Sequence, residues 1–506
     1  MFSQLPVRIL RHERPSWKIP VTFVLAKRWK SVITTRTYDG AITLLNTLQT
    51  PHSILQARRE AGIRIDSSDN DKLRVCLQKI GYTQSDLQKL NIIHISGTKG
   101  KGTTSSYVSS LLTHHSPPLK IGLFTSPHLL SVRERIRLNG LPLPAPLFTT
   151  YFFHIWDTLP SHLRPGYFRF LTLLSYHVFL SENVDAAVYE VGMGGEYDGT
   201  NIVERPAVSG VSSLGIDHVF TLGNTIEEIA WHKGGIFKAG VPAFSVPQPA
   251  GAMRVLEERA AERKVASFEV VDVDRRLDSV KVTPDAPFQR QNASLALALT
   301  DTVLLILDPS YTPSKTMLTP SLRAGIENMV FRGRFERIER AGVTWYLDGA
   351  HTKESICVAV GWFGGAVRNS KATRILVFNQ QGDREAVELL EALYTNTQNE
   401  RNLEFDHVIF CPTKTRSVQS AKKDFINNAH DATAITALTL QKQFVSKWRE
   451  MAGEKPVIKV LANVDEAFEY IDTLAGTSEG EVQVFVTGSI HLVGTALSVL
   501  EGVDAL

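Results

Sequence analysis

Gly97-Thr98-Lys99-Gly100-Lys101-Gly102-Thr103 is the stretch whose reading decides the fold. The apolar run Asn91-Ile92-Ile93-His94-Ile95-Ser96 before it reads as a buried strand, and Thr103–Leu112 after it as a helix. In that setting a glycine-rich turn aims successive backbone N–H groups, backed by a helix N-terminus, at phosphate oxygens. Lys101 is placed to neutralise the β- and γ-phosphates, and the Thr103 hydroxyl to face Mg²⁺. The run departs from the ordinary Walker pattern, because Gly102 stands between the lysine and the hydroxyl residue. A tight structural corner is the bland alternative. The strand before and helix after favour nucleotide binding.

Further signals lie to the C-terminal side of that turn. The strand Asp185–Glu190 runs into Val191-Gly192-Met193-Gly194-Gly195, so Glu190 sits at a strand's carboxyl end, the edge where open α/β sheets bind ligands. A solvated surface charge fits Glu190 equally well. Asp217-His218 follow the strand Ala207–Ser212 and reach the same edge, although a lone histidine is more often structural. Lys233 ends a helix, Thr225–Lys233, stopped by Gly234-Gly235. There it complements the negative end of the helix dipole by ~0.3–1 kcal/mol. Lys120–Phe124 and Val241–Val246 read as strands, Phe168–Leu180 and Gly251–Lys264 as helices. Arg133-Glu134-Arg135-Ile136-Arg137-Leu138 alternates at period two before Asn139-Gly140, which predicts a half-exposed strand or hairpin arm. The alternation of strands and helices is that of a doubly wound α/β sheet. After Arg332 a second series begins, with strands at Trp345–Asp348, Arg374–Phe378, His407–Phe410, Val457–Leu461 and Val482–Thr487. A domain boundary is expected near Val330.

The chain has 506 residues, enough for two or three domains, and 43% hydrophobic with 21% charged residues is ordinary for a globular protein. No apolar run approaches the ~20 residues of a spanning helix. Cys76, Cys357 and Cys411 are odd in number and far apart, which makes neither a disulfide framework nor a zinc site and points to a reducing compartment. A net charge of +3 gives no reason to expect a nucleic-acid partner. That charge is unevenly spread. Residues 1–36 hold Arg8, Arg11, Arg14, Lys18, Lys27, Arg28, Lys30 and Arg36 against Glu13 alone, so the remainder is acidic. Such a leader has the composition of a mitochondrial transit peptide. A disordered basic tail is the alternative, and Pro6, Pro15 and Pro20 interrupt any long helix. The expected location is mitochondrial, in the matrix or associated with the inner membrane, with a cytoplasmic pool left open.

Six stretches then occur in order: Gly97–Thr103, Phe124-Thr125-Ser126-Pro127-His128-Leu129, Glu190–Gly195, Ser213-Leu214-Gly215-Ile216-Asp217-His218, Ile229–Lys238 and Asp348-Gly349-Ala350-His351. Together they resemble the folylpolyglutamate synthases, a branch of the Mur ligase superfamily. The resemblance runs from Thr37-Tyr38 to Val486–Gly494, nearly everything except the leader. Tyr167–Thr172 and Gly194–Asn201 resemble the eukaryotic form in particular. The resemblance implies an N-terminal P-loop-type doubly wound ATPase domain (37–330, binding ATP and folate) and a smaller C-terminal Rossmann-like α/β domain (331–506). It also implies residue roles. Gly97, Thr98, Lys99, Gly100, Lys101, Gly102 and Thr103 match the phosphate loop. Asn292 matches an asparagine that touches the base, Arg334 one that reaches the phosphates, and Asp348 and His351 residues that close over the nucleotide. Ser126, Glu190 and His218 match metal ligands, joined by Thr103, and Lys233 matches a lysine carbamylated in bacterial relatives. Lys101, Lys233, Glu190 and His218 are then the catalytic set, with Phe168 and Arg169 on the folate. Many members carry Asn and Ser where this chain has Lys99 and Thr103; the hydroxyl is kept. Gln380-Gln381 depart from the pattern and receive no role.

What the resemblance implies chemically is an ATP-dependent ligase using two Mg²⁺, with a monovalent cation such as K⁺ left open. The γ-carboxylate of tetrahydrofolate would be phosphorylated and the acyl phosphate then attacked by the amine of L-glutamate. Charge around the transferring phosphoryl group calls for Mg²⁺, Lys101 and the loop amides. A monomer acting on small molecules is expected. Dihydrofolate synthase, alone or bifunctional, shares every motif and is the nearest rival. A cell-wall Mur ligase has no place for the leader, and a nucleotide switch has no need of Glu190, His218, Lys233, Asp348 and His351.

Overall fold

The computed structural model describes residues 35–506 except 63–65, 369, 381–382, 401–402, 415–423, 425–437, 454, 479 and 504. The basic leader thus lies outside the described residues, apart from Thr35 and Arg36. Eight strands make the first sheet: β1 Ile93–Ser96, β2 Ile121–Phe124, β3 Ile136–Leu138, β4 Leu141–Pro142, β5 Ala186–Glu190, β6 Val208–Val211, β7 Ala243–Ser245 and β8 Phe268–Val270. Their spatial order is β4-β3-β2-β5-β1-β6-β7-β8, antiparallel only where β3 meets β2 and β4. From β1 the chain crosses over β5 to reach β2; from β5 it crosses over β1 to reach β6. Connections leaving in opposite directions open a crevice at the carboxyl ends of β1 and β5.

Side chains of β5 alternate between two cores, as a strand covered on both faces must. Ala186 and Val188 join helices Lys101–Thr113 and Pro287–Leu307, through Leu111 and Leu299 among others. Ala187 and Tyr189 join helices Ala145–Thr158 and Tyr167–Ser181 on the other face, through Phe152 and Tyr176. The expected doubly wound sheet is therefore present.

The second sheet holds β9 Glu336–Arg340, β10 Val343–Leu347, β11 Thr373–Phe378, β12 His407–Phe410, β13 Val457–Val460 and β14 Val482–Thr487. Its order is β13-β12-β11-β14-β10-β9, parallel except for β9 against β10. Among the described residues no helix is long and apolar enough to cross a membrane. One expectation fails in detail. Val132–Arg135 is a turn of 3₁₀-helix, and only Ile136–Leu138 pairs as a strand. The cause is Ser131 and Glu134, which form a capping box. Glu134 also accepts the amides of Leu129 (2.7 Å) and Leu130 (3.0 Å), drawing the segment out of extended geometry and into the interior.

Residues 36–506 form one unit because the halves share a core. Leu129 and Leu130, from the segment after β2, pack with Leu492, Val493 and Ala496 of helix Ile490–Glu501. At the contact Gly494 touches the Leu129 carbonyl so closely that any Cβ would overlap it. Overpacking of this kind destabilises by about 1–3 kcal/mol. Gly494→Ala is therefore expected to lower the urea midpoint of the folded chain, whereas Gly476→Ala, with open space around it and ordinary helical backbone, leaves packing untouched.

Candidate active site

One cavity of about 1410 Å³ opens where the crevice of the first sheet faces the second sheet. Thirteen of the predicted positions line it alongside Phe168 and Arg169, among them Lys101, Ser126, Glu190, His218, Asn292, Arg334, Asp348 and His351. Gly97 and Lys233 lie behind the wall.

The phosphate turn is held open from beneath. Thr98 and Lys99 donate their amides to the Ser213 carbonyl (2.9 and 3.0 Å), which ties the turn to the segment after β6. These two amides are thereby committed, contrary to the expectation that they face phosphate. The amides that helix geometry leaves without an intrahelical acceptor begin at Lys101. Gly100 has φ +83°, and a Cβ there would overlap the Asn292 amide oxygen. Only glycine meets both conditions. Lys101 curls back to donate to the Gly97 carbonyl at 3.0 Å.

Glu190 sits directly against this turn: a Cβ at Gly102 would stand 3.4 Å from its Oε1. The carboxylate is 5% exposed, and its Oε2 accepts the Ser126 amide at 3.0 Å. Burial raises its pKa, while Lys101, the Ser126 amide, Arg334 and Arg135 favour the ionised form. Asp348 has the same character across the cavity. Its pKa is raised by burial against the pull of Arg334, and its Oδ2 accepts the Phe335 amide at 2.9 Å. Lys99 bridges the two halves, donating to Thr352 Oγ1 at 2.9 Å at the start of helix Lys353–Val367.

Lys233 is 2% exposed and donates to the Gly97 carbonyl at 2.6 Å. Burial, with Lys101 nearby, depresses its pKa well below the usual lysine value. His218 stands in left-handed geometry (φ +49°) with its Nε2 3.6 Å from Asp217. Desolvation lowers its pKa, against Asp217. Among the described residues no three His, Cys, Asp or Glu side chains cluster as a metal site. A buried carboxylate beside the hydroxyls of Thr103 and Ser126 is nevertheless a donor set for a hard cation coordinated in part by phosphate. Lys233, bonded to Gly97, joins that set only after chemical modification.

Arg135 is a cavity residue that the period-two reading concealed. Its Nε donates to His128 Nδ1 at 2.9 Å, and its guanidinium lies over the Tyr167 ring. Ser131-x-x-Glu134, a capping-box spacing, was the signal that could have exposed it.

Comparison with known proteins follows this geometry. No family model matches the chain. Over 492 residues it is 48% identical to folylpolyglutamate synthase of Neurospora crassa, covering 93% of this chain and 93% of that one. Two solved structures are similar in fold. Mycobacterium tuberculosis folylpolyglutamate synthase complexed with ADP has a TM-score of 0.66 at 22% identity, covering 92% of this chain and 100% of that chain. The bifunctional folylpolyglutamate synthase/dihydrofolate synthase of Yersinia pestis, complexed with AMPPNP and Mn ion, has a TM-score of 0.63 at 22% identity, covering 90% and 98%. With nearly half its residues identical along almost the whole of a named relative, the chain belongs to the folylpolyglutamate synthase family.

Proposed function

We infer that the cavity is the active site of an ATP-dependent ligase that adds glutamate to the γ-carboxylate of tetrahydrofolates. Its products are the folylpolyglutamates that retain folate for one-carbon metabolism. The observation that carries this reading is that one cavity of about 1410 Å³ joins the phosphate turn of the first sheet to Arg334, Asp348 and His351 from the second half. That volume suits a nucleotide and a folate together.

The chemistry assigns work to each wall. A folate carboxylate oxygen attacks the γ-phosphorus of ATP and ADP leaves. The glutamate amine then attacks the acyl carbon, phosphate departs, and the ammonium proton is lost to solvent or base. Lys101, Arg334 and the first helix amides offset the negative charge that gathers on the transferred group. Asn292, held between Gln289 and Gly100, would contact the base. Asp348 and His351, arriving from the second half, close the nucleotide away from water. Phe168 and Arg169 form the folate side. Thr103, Ser126 and Glu190 suit one Mg²⁺, and His218 with a carbamate on Lys233 would serve a second. Bound there, the ions would supply charge neutralisation at the phosphoryl group. A K⁺ requirement is an open part of this proposal. The domain assignment 37–330 for ATP and folate and 331–506 for the glutamate-ligase half follows the two sheets. The protein acts as a monomer, and the leader 1–36 directs it to mitochondria.

Purified protein given ATP, Mg²⁺, tetrahydrofolate and glutamate is expected to release ADP only when both organic substrates are present. Release without glutamate would overturn the ligase reading, and turnover of dihydropteroate would make the enzyme bifunctional. Lys233→Ala is expected to lower turnover ~10²-fold, the scale of one preorganised electrostatic group. A small carboxylic acid restores part of it if the carbamate is real; near-normal activity would reduce Lys233 to a prop for the Gly97 carbonyl. Deleting residues 1–36 is expected to leave catalysis intact and abolish organelle import, measured with the full-length chain in parallel.

A further inference from the structure

Beneath the loop that follows Glu190 lies a polar chain with no part in the chemistry above. His94, at the centre of the first sheet on β1, is fully buried, with Nε2 2.8 Å from Thr200 Oγ1. The Thr200 hydroxyl has one proton, and it is donated to Asp198 Oδ1 at 2.6 Å. Its lone pair must therefore accept from His94, which fixes the proton on Nε2 and leaves Nδ1 buried without a partner. Burial holds this imidazole neutral, its pKa pushed down to about 3. Asp198 gathers two more bonds, from the Thr200 amide at 2.9 Å and the Met193 amide at 3.0 Å. Tyr176 OH donates to the Thr200 carbonyl at 2.9 Å. An apolar interior would be simpler to build than one with an unpartnered imidazole nitrogen.

What the chain holds is the loop Gly192–Gly199. That loop is the seat of two side chains assigned to folate. Phe168 packs on Gly192 so closely that a Cβ there would stand 2.5 Å from its Cζ. Arg169 donates to the Tyr197 carbonyl at 3.4 Å, and its Cγ lies 3.1 Å from where a Gly199 Cβ would be. A shift of the loop therefore moves both.

We propose that His94 and Thr200 are positioning residues for folate recognition: through Asp198 they lock the Gly192–Gly199 loop in the arrangement that seats Phe168 and Arg169. This rests on the reading of the cavity's Phe168–Arg169 side as the folate side. The nucleotide side, built on Gly97–Thr103, makes no hydrogen bond to His94, Asp198 or Thr200; its link to the loop is separate, through Ser96 Oγ donating to the Gly194 carbonyl at 2.7 Å.

Thr200→Val keeps the shape and removes both the donor and the acceptor. It is expected to raise KM for tetrahydrofolate ~10-fold, the scale of a buried hydrogen bond left unmade, while KM for ATP changes by less than ~2-fold. Thr200→Ser restores the folate KM. Amide exchange at Met193 in the full chain accelerates in Thr200→Val and returns in Thr200→Ser. Should Thr200→Val not fold, His94→Leu, which leaves the Thr200–Asp198 bond, carries the same test with a smaller shift in the same direction. An unchanged folate KM with unchanged Met193 exchange overturns the proposal, as does an equal rise in both KM values. If wild-type protein fails to turn over folate, the functional reading falls, and Met193 exchange still decides whether the lock exists.

Discussion

A carboxylate buried against a glycine-rich turn is tolerable only where cations and amides crowd around it, and that constraint organises this molecule. β1 and β5 are neighbours, with Ile95 opposite Glu190. The topology therefore delivers the glycine turn and the carboxylate to the same point, and Gly102 leaves no side chain between them. Lys101 comes from the turn itself, the Ser126 amide from the segment after β2, and Arg334 from the connection into the second sheet. The electrostatic balance at Glu190 thus needs contributions from both halves of the chain. Asp348 repeats the arrangement from the opposite wall, sharing Arg334. The two buried acids and their common guanidinium give the second half a reason to stay close to the first.

Local pattern made much of this legible. Strand, glycine turn and helix are adjacent in sequence, so the phosphate turn and the position of Glu190 could be read from the order of residues. The buried parallel strands inside both sheets were found within one or two residues, because they are short apolar runs bounded by turns, whereas the half-exposed edge strands β4, β8 and β9 were not read. Failure came where a distant partner decides. The commitment of the Thr98 and Lys99 amides depends on Ser213, more than a hundred residues onward. The burial of Lys233 under Gly97 spans a comparable distance. Arg133–Leu138 alternates like a strand, yet one glutamate collecting amides outweighed the weak extended propensity of a short run.

His94 is instructive for the same reason. In sequence it is a polar interruption of an apolar strand, and nothing local says what it contacts. Only when β1 is laid beside the loop after β5 does its partner Thr200 come into view. Polar residues inside otherwise apolar strands are therefore poorly decoded by period and composition. Their meaning lies in contacts that the topology makes.

The shared core around Leu129 and Leu130 bears on how such a protein can be rebuilt. A cut near residue 330 divides the two sheets cleanly but not the hydrophobic interior, since two leucines of the first half are wall material for the second. Exchanging C-terminal halves between relatives would transplant a helix whose Gly494 was shaped to another backbone. The modular unit in this architecture is consequently discontinuous: the second sheet together with the short segment after β2, which travels with it although it is encoded some two hundred residues earlier.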